Sequence, residues 1–84
     1  MDYSQAIITE HALEQIAWRG ISSDQINSVL ANPEAVLPVR EGRVVVQGMS
    51  GEYLLRIIVD DDRQPPEVVT VYRTSNIKKY RKNS

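Results

Sequence analysis

The first apolar pattern of the chain has the spacing of a helix over residues 9–19. Three apolar residues recur three and four positions apart, which lines one face of a helix: Leu13, Ile16 and Ala17. Thr9 is suited to cap the first turn, and Gly20 supplies the left-handed residue that ends many helices. The pattern therefore predicts a first helix that buries one side.

A second helix is predicted immediately afterwards, ending at residue 31. Ser22 and Gln25 have the spacing of a capping box, in which each side chain bonds the backbone of the other residue. Its apolar stripe has three members: Ile26, Val29 and Leu30. Asn32 and Pro33 end the pattern, so the two helices should form a hairpin.

From residue 35 the pattern changes to short runs rich in valine and isoleucine. Four strands are predicted, separated by turn residues: 35–39, 43–49, 52–59 and 68–73. Their short connections require antiparallel pairing, and Pro38 places the first strand at an edge because proline lacks an N–H. The predicted fold class is α+β, with an N-terminal two-helix hairpin packed on one face of a four-stranded antiparallel sheet.

The third predicted strand carries a charged residue inside an apolar run. Alternation directs four of its residues toward the helices: Tyr53, Leu55, Ile57 and Val59. Arg56 then faces the other side, where pairing to Asp60 or Glu52 would be the simple structural explanation. In the fourth strand Val69 and Val71 match the helix-facing set. The same alternation puts three further residues beside Arg56: Thr70, Tyr72 and Thr74.

Composition narrows the function classes. The 84 residues form one domain, and they include no cysteine and one histidine. No metal-ligand spacing or glycine-rich phosphate loop is present, so we expect no cofactor and no metal. The apolar runs are far shorter than the roughly 20 residues of a membrane span, and the first residues do not resemble a signal peptide. We therefore expect a cytoplasmic protein without a membrane partner.

Charge is divided unequally along the chain. Residues 1–62 carry four arginines and ten acidic residues, a net charge of −6, whereas residues 63–84 carry six basic residues and one acid, a net charge of +5. A basic C-terminal tail over residues 76–84 suggests an anionic partner. A solvated tail that only aids solubility would have the same composition.

Several segments together resemble a known family. They are Ile8-Thr9-Glu10-His11-Ala12-Leu13, Arg19-Gly20-Ile21-Ser22, Val69-Thr70-Val71-Tyr72-Arg73-Thr74-Ser75 and Lys79-Tyr80. The chain resembles a widespread bacterial family of small uncharacterised domains that is grouped with RelE- and ParE-type toxins and, more distantly, with barnase-like and EndoU-like ribonucleases. The resemblance implies a RelE-like fold and either metal-independent RNA cleavage or RNA binding by an inactive relative. Relatives often carry an arginine where this chain has Gln15.

Metal-free RNA cleavage needs a proton acceptor, a proton donor and cations around the phosphate. Five residues are candidates for these roles: His11, Arg56, Arg73, Thr74 and Tyr80. Seven further residues are candidates for RNA contacts: Thr70, Tyr72, Ser75, Lys78, Lys79, Arg81 and Lys82. Tyr80 stands among bases, as in segments that stack on single-stranded RNA. The partner would be RNA or the ribosome.

The candidate residues also have simpler interpretations. His11 shares a helix side with Gln15 and Trp18, opposite the apolar stripe, where it would be an exposed polar residue or a cover for the indole. Trp18 and Tyr53 are predicted to pack rather than to bind ligand. The alternative function is a non-enzymatic module that pairs with an antitoxin-like protein through the same face. The sequence does not determine the oligomeric state.

Overall fold

A computed structural model describes residues 3–80 of the chain. The elements, in chain order, are β1 (Ile7–Ile8), α1 (Glu10–Arg19), α2 (Ser23–Ala31), β2 (Ala35–Arg40), β3 (Arg43–Ser50), β4 (Tyr53–Asp60), β5 (Glu67–Thr74) and α3 (Ile77–Tyr80). The five strands form one sheet in the order β1-β5-β4-β3-β2. The α+β class is confirmed.

The ends of both main helices follow the predicted capping chemistry. The Thr9 side chain accepts a hydrogen bond from the Ala12 N–H at 3.2 Å, and Gly20 ends α1 with φ of 68°. Ser22 and Gln25 make both bonds of the capping box, at 2.9 and 3.2 Å. These bonds satisfy N–H groups that a helix start leaves without an intrahelical partner, which fixes where each helix begins.

Helix α1 buries a different stripe from the one predicted. Ala12 and Ile16 are buried, whereas Ala17 is exposed and Leu13 keeps 46% of its surface in solvent. The predicted stripe of Leu13, Ile16 and Ala17 was therefore wrong in two of its three members. In α2 the predicted stripe is confirmed, since Ile26, Val29 and Leu30 are all buried.

The rotation of α1 follows from polar bonds at its two ends. The Thr9 hydroxyl donates to the carbonyl oxygen of Val68 at 3.0 Å, and Arg19 Nη1 donates to that of Val71 at 2.5 Å. Both acceptors belong to β5. These bonds turn the side of the helix that carries positions 9, 12, 16 and 19 toward the sheet, and the small Ala12 side chain allows the close approach.

The four predicted strands are present with ends that shift by one residue at most. β2 pairs with β3, β3 with β4 and β4 with β5, all antiparallel. β2 lies at the edge of the sheet, as Pro38 predicts, and its register shifts between Pro38 and Arg40. A proline and an irregular register both hinder the addition of a further strand.

The expectation of a four-stranded, purely antiparallel sheet was wrong. Ile7 and Ile8 form a fifth strand that pairs in parallel with Glu67 and Val68, and the Ile7 N–H donates to the Pro66 oxygen at 2.8 Å. Two residues are too few for an alternating pattern, so this strand has no signal in the local sequence. The sheet is mixed, and β1 carries the chain from the edge of β5 into α1.

The core lies between the sheet and the pair α1–α2. Its fully buried residues include Ile26, Leu30, Val46, Ile57 and Val71. We call the other side of the sheet the open face. The short helix α3 lies on that side, because Tyr80 contacts side chains of the open face.

A bulge in β5 changes one predicted core residue. Thr70 pairs with Ile58, whereas Val68 pairs with the next residue of β4, Val59, so Val69 is the extra residue. Val68 is fully buried and Val69 is only half-buried. The core pair of β5 is therefore Val68 and Val71, rather than the predicted Val69 and Val71, because a bulge interrupts the alternation of faces.

An ion pair joins the first residue of β3 to the last residue of β4. It lies at the end of the sheet that carries the loop between β4 and β5. Arg43 Nε and Nη2 lie 2.6 and 3.1 Å from the two carboxylate oxygens of Asp60, whose side chain is 13% exposed. The hydrogen bond from Arg43 lowers the pKa of Asp60 below its ordinary value. Partial burial acts in the opposite direction, but its effect is smaller.

No helix of the described residues is long and apolar enough to cross a membrane.

Replacing Leu30 tests the position of the core. Leu30→Ala should lower the free energy of unfolding by about 2–5 kcal/mol, because Leu30 is fully buried and the change leaves a cavity. Leu37→Ala on β2 is the matched control, since Leu37 is 38% exposed, and should cost less than about 1 kcal/mol. Urea unfolding measures both values. Equal losses would contradict the assignment of the core.

The Arg43–Asp60 pair should make stability depend on pH in the acid range. A carboxyl whose pKa is lower in the folded state stabilises the fold above its unfolded pKa of about 4, and this contribution disappears as the pH falls through the folded pKa. Asp60→Asn should therefore be less stable than the parent near neutrality, and the difference should shrink at about pH 3. Asp62→Asn, at an exposed ion pair, is the control. A difference independent of pH would refute the role of Asp60.

Candidate functional site

Three polar or aromatic side chains form a row across the open face. Gln47 of β3 is in register with Arg56 of β4, which is in register with Tyr72 of β5. Their neighbours in the same strands, such as Val46 and Ile57, point into the core instead. Alternation along three adjacent strands therefore places the row, and the apolar residues on the other face hold the strands in that register.

Arg56 is the centre of this row. Its Nε donates to Gln47 Oε1 at 3.1 Å, and its Nη1 donates to the Tyr72 hydroxyl at 2.5 Å. The guanidinium carbon lies 4.0 Å from the centroid of the Tyr80 ring and 5.7 Å from that of Tyr72. The first distance is that of a stacked cation and ring. Two hydrogen bonds and one stack therefore orient the guanidinium.

Gln47 is the buried anchor of the site. Only 2% of its surface is exposed, and it is the one buried polar side chain among residues 3–80. Its Oε1 accepts from Arg56, and its Nε2 donates to the backbone oxygen of Tyr80 at 3.1 Å. A buried amide is stable only when both ends are bonded. Gln47 thus links the orientation of Arg56 to the position of α3.

The charge of Arg56 has no carboxylate partner in the described part of the chain. Asp60, one of the acids expected to pair with it, binds Arg43 and Arg63 instead. The hydrogen bonds of Arg56 go to the neutral side chains of Gln47 and Tyr72, and they use Nε and Nη1. The guanidinium has five N–H donors, so Nη2 is available to an anionic ligand.

Tyr80 lies in an electropositive environment. Partial burial opposes ionisation of its hydroxyl, but the Lys79 ammonium, hydrogen bonds with Lys79 and Tyr72, and the charge of Arg56 together lower the pKa of Tyr80. The Lys79 Nζ lies 5.2 Å from the ring centroid. Cations therefore surround this end of the open face, which favours negative charge there.

Two predicted catalytic residues lie away from this cluster. Arg73 is in register with the core residue Leu55, its Nη2 lies 3.9 Å from the place a Cβ on Gly20 would take, and its guanidinium stacks on Tyr53 at 5.0 Å. These contacts put Arg73 on the helix side of the sheet. His11 is exposed on α1. The catalytic roles predicted for both residues remain predictions, but the structure does not place them beside Arg56.

Gln15 connects His11 to the sheet. Its Nε2 lies 3.1 Å from His11 Nε2, and its Oε1 accepts a hydrogen bond from the Thr70 hydroxyl. Thr70, predicted to contact RNA, is therefore bonded to α1. The hydrogen bonds of Gln15 thus join His11 to Thr70, and the hydrogen bonds of Arg56 go to other residues, Gln47 and Tyr72.

The remaining predicted residues lie at or beyond the end of β5. Thr74 Oγ1 accepts from the Asn76 N–H at 3.0 Å, and the Ser75 oxygen accepts from the Ile77 N–H at 2.9 Å, so both shape the turn into α3. The lysines predicted to contact RNA, Lys78 and Lys79, are exposed on α3. Arg81 and Lys82 lie outside the described residues.

Sequence reasoning missed Gln47 and misjudged Trp18. Gln47 follows three valines in a predicted strand, and a polar residue in such an apolar run was the signal that could have identified it. Trp18 was expected to pack, but it is 90% exposed because α1 turns its outer side toward solvent. Tyr53 is 41% exposed, with its ring against Arg73. Within residues 3–80, no three acidic or histidine side chains form a group that could hold a metal ion.

Removal of the Arg56 side chain should lower the stability of the fold, because this side chain bonds the buried Gln47. Arg56→Ala should lower the free energy of unfolding by about 1–3 kcal/mol, because Gln47 Oε1 loses its donor while it remains buried. Arg73→Ala is the matched control, since Arg73 is exposed. Chemical unfolding of both variants measures the difference. Equal stability of the two variants would show that Arg56 does not support Gln47.

Comparison with known proteins gives one family. A search of curated proteins and a search of solved structures each found no match. A family model described as a domain of unknown function, DUF4258, matches residues 8–73, from the second residue of β1 to the residue before the end of β5. This match covers most of the chain and includes Gln47, Arg56 and Tyr72. The chain therefore belongs to the DUF4258 family of small domains.

Proposed function

We propose that this protein binds single-stranded RNA on the open face, with Arg56 as the residue that holds the ligand. In this proposal the chain is a cytoplasmic relative of the RelE- and ParE-type toxins. Tyr72 orients the guanidinium, and the lysines of α3 contribute further positive charge. A phosphate bonds to Nη2, while an unpaired base lies against the flat guanidinium.

The observation that carries this proposal is the set of partners of Arg56. A half-buried arginine is normally paired with a carboxylate, since burial penalises a lone charge. Here its hydrogen bonds within residues 3–80 go to an amide and a phenol, which fix its direction and bring no negative charge. An oriented planar guanidinium, whose Nη2 makes no hydrogen bond within residues 3–80, suits two oxygens of a phosphate and the face of a base.

The distribution of charge along the chain supports a ligand that binds beside the basic C-terminal residues, of which Lys78 and Lys79 lie on α3. The basic residues after position 62 give that part of the chain a net charge of +5, against −6 for the rest. An acidic body disfavours broad wrapping by a polyanion, because nonspecific affinity grows with the number of phosphate contacts. We therefore expect a short binding site that holds a few nucleotides beside α3.

Cleavage of RNA would require one more group than binding does. It requires a proton acceptor within hydrogen-bond reach of the 2′-hydroxyl of RNA that Arg56 holds. His11 and Arg73 do not share the face of Arg56, so RNA binding has more support from the geometry than cleavage. The measurement of cleavage nevertheless belongs in the same experiment, because Tyr80, a candidate catalytic residue, stacks on Arg56 and its pKa is lowered by the cations around it.

One observation favours the alternative function, a module that binds an antitoxin-like protein. Trp18 is 90% exposed on α1, and exposed tryptophans are common at the centre of protein interfaces. This residue lies on the helix side of the sheet, away from Arg56. The two functions therefore use opposite sides of the domain, so variants at Trp18 and Arg56 can separate them.

A binding assay with RNA tests the proposed function. Arg56→Ala should weaken the binding of a short fluorescent oligouridine about 10- to 100-fold, because the variant loses a charge-assisted hydrogen bond and a stacking surface. Arg73→Ala removes the same charge on the other face and should change the affinity less than about threefold. Fluorescence anisotropy at several salt concentrations gives affinity and salt slope.

Three outcomes decide between the functions. Loss of affinity in Arg56→Ala alone supports RNA binding at the open face. Equal losses in Arg56→Ala and Arg73→Ala would show nonspecific attraction and would contradict this site. If the parent binds no RNA, but retains a partner protein that Trp18→Ala releases, the protein-binding function replaces it. Gel analysis of the same RNA after incubation reports cleavage.

A further inference from the structure

The ring of Tyr80 already occupies one side of Arg56. It lies 4.0 Å from the guanidinium carbon, and its backbone oxygen accepts a hydrogen bond from Gln47 Nε2 at 3.1 Å. A flat ring stacked on an arginine, with an acceptor oxygen directed at a nearby amide, is also the arrangement in which proteins hold an unpaired nucleobase. Tyr80 therefore presents to this site the same two features as a base.

We propose that Tyr80 is a built-in occupant of the RNA site and that an unpaired base displaces it. This inference rests on the proposed function and adds the regulation of that site. In the closed arrangement the ring covers Arg56. In the open arrangement α3 moves away, and a base stacks in the place of the ring while an acceptor on its edge bonds Gln47 Nε2.

Few contacts hold α3 on the sheet, so displacement of Tyr80 requires little free energy. The described residues of α3 make one turn, Ile77–Tyr80, and one helical turn has no stability of its own in water. Among the described residues, the contacts that join Tyr80 to the sheet are one hydrogen bond from Gln47, the stack on Arg56 and the hydroxyl contact with Tyr72. A base that reproduces the stack and the hydrogen bond replaces most of what α3 loses.

The ligand also brings a negative charge to Arg56, which Tyr80 does not. When Tyr80 covers Arg56, the cation lies against a neutral ring and two neutral hydrogen-bond partners. A nucleotide of RNA carries a phosphate as well as a base, whereas Tyr80 offers only a ring. The exchange therefore favours a nucleotide over a free aromatic ring, and it restricts the site to ligands that combine a flat ring with an anion.

Removal of the ring should expose Arg56. Phenylglyoxal modifies accessible arginines, and mass spectrometry of peptides gives the rate at each arginine. Tyr80→Ala should speed the modification of Arg56 several-fold, whereas Tyr80→Phe, which keeps the ring, should leave it slow. Tyr53→Ala is the matched control, because it removes a ring that contacts the exposed Arg73 on the other face, and it should leave the modification of Arg56 unchanged.

The same variants should change the affinity for oligouridine. If the ring competes with the ligand, Tyr80→Ala should bind about 2- to 30-fold more tightly than the parent, which corresponds to the loss of one cation–ring contact. Tyr53→Ala should bind like the parent. Weaker binding by Tyr80→Ala would overturn the inference, because it would mean that the ring belongs to the binding surface.

The chemical modification separates this inference from the proposed function. If Tyr80→Ala speeds the modification of Arg56 but neither protein binds oligouridine, the cover is established and RNA binding is refuted. If the parent binds oligouridine but Arg56 reacts at the same rate with and without the ring, RNA binding stands and the cover is refuted. An increase in both rate and affinity supports both.

Discussion

Alternation of side chains along β4 is the constraint on which both the core and the candidate site depend. Leu55, Ile57 and Val59 fill the core beneath α1 and α2, and the same period of two leaves Arg56 on the other face. A slip of one residue would exchange the two sets and bury the guanidinium among aliphatic side chains. The free energy gained by burying β4 therefore also fixes the position of its only cation.

Much of the fold was predictable because local sequence decides it. Capping residues and turns mark the ends of α1, α2 and the four long strands, and Pro38 marks the edge strand. β1 was not predictable, since Ile7 and Ile8 carry no pattern of their own and pair only because β5 offers a free edge. The bulge at Val69 and the rotation of α1 likewise depend on contacts with partners distant in sequence.

The candidate site was predictable only in part, for the same physical reason. Arg56 and Tyr72 share a face by alternation, so a strand pattern alone brings them together. The contact with Tyr80 depends on where the chain turns after β5, and the contact with Gln47 depends on the register between β3 and β4. His11 and Arg73 look equally suitable in the sequence, but α1 packs on one side of the sheet and Arg56 projects from the other.

The parallel pairing of β1 has a consequence for how the domain meets other molecules. β1 and Thr9 cover the start of β5 as far as Val68, and Arg19 bonds the carbonyl oxygen of Val71 further along that strand, so its own chain closes part of this margin. At the opposite margin β2 is interrupted by Pro38 and an irregular register. Neither margin readily accepts a strand from a second molecule. Growth of the sheet by strand addition is thus disfavoured, and contacts with other molecules are left to the open face and to the outer side of the helices.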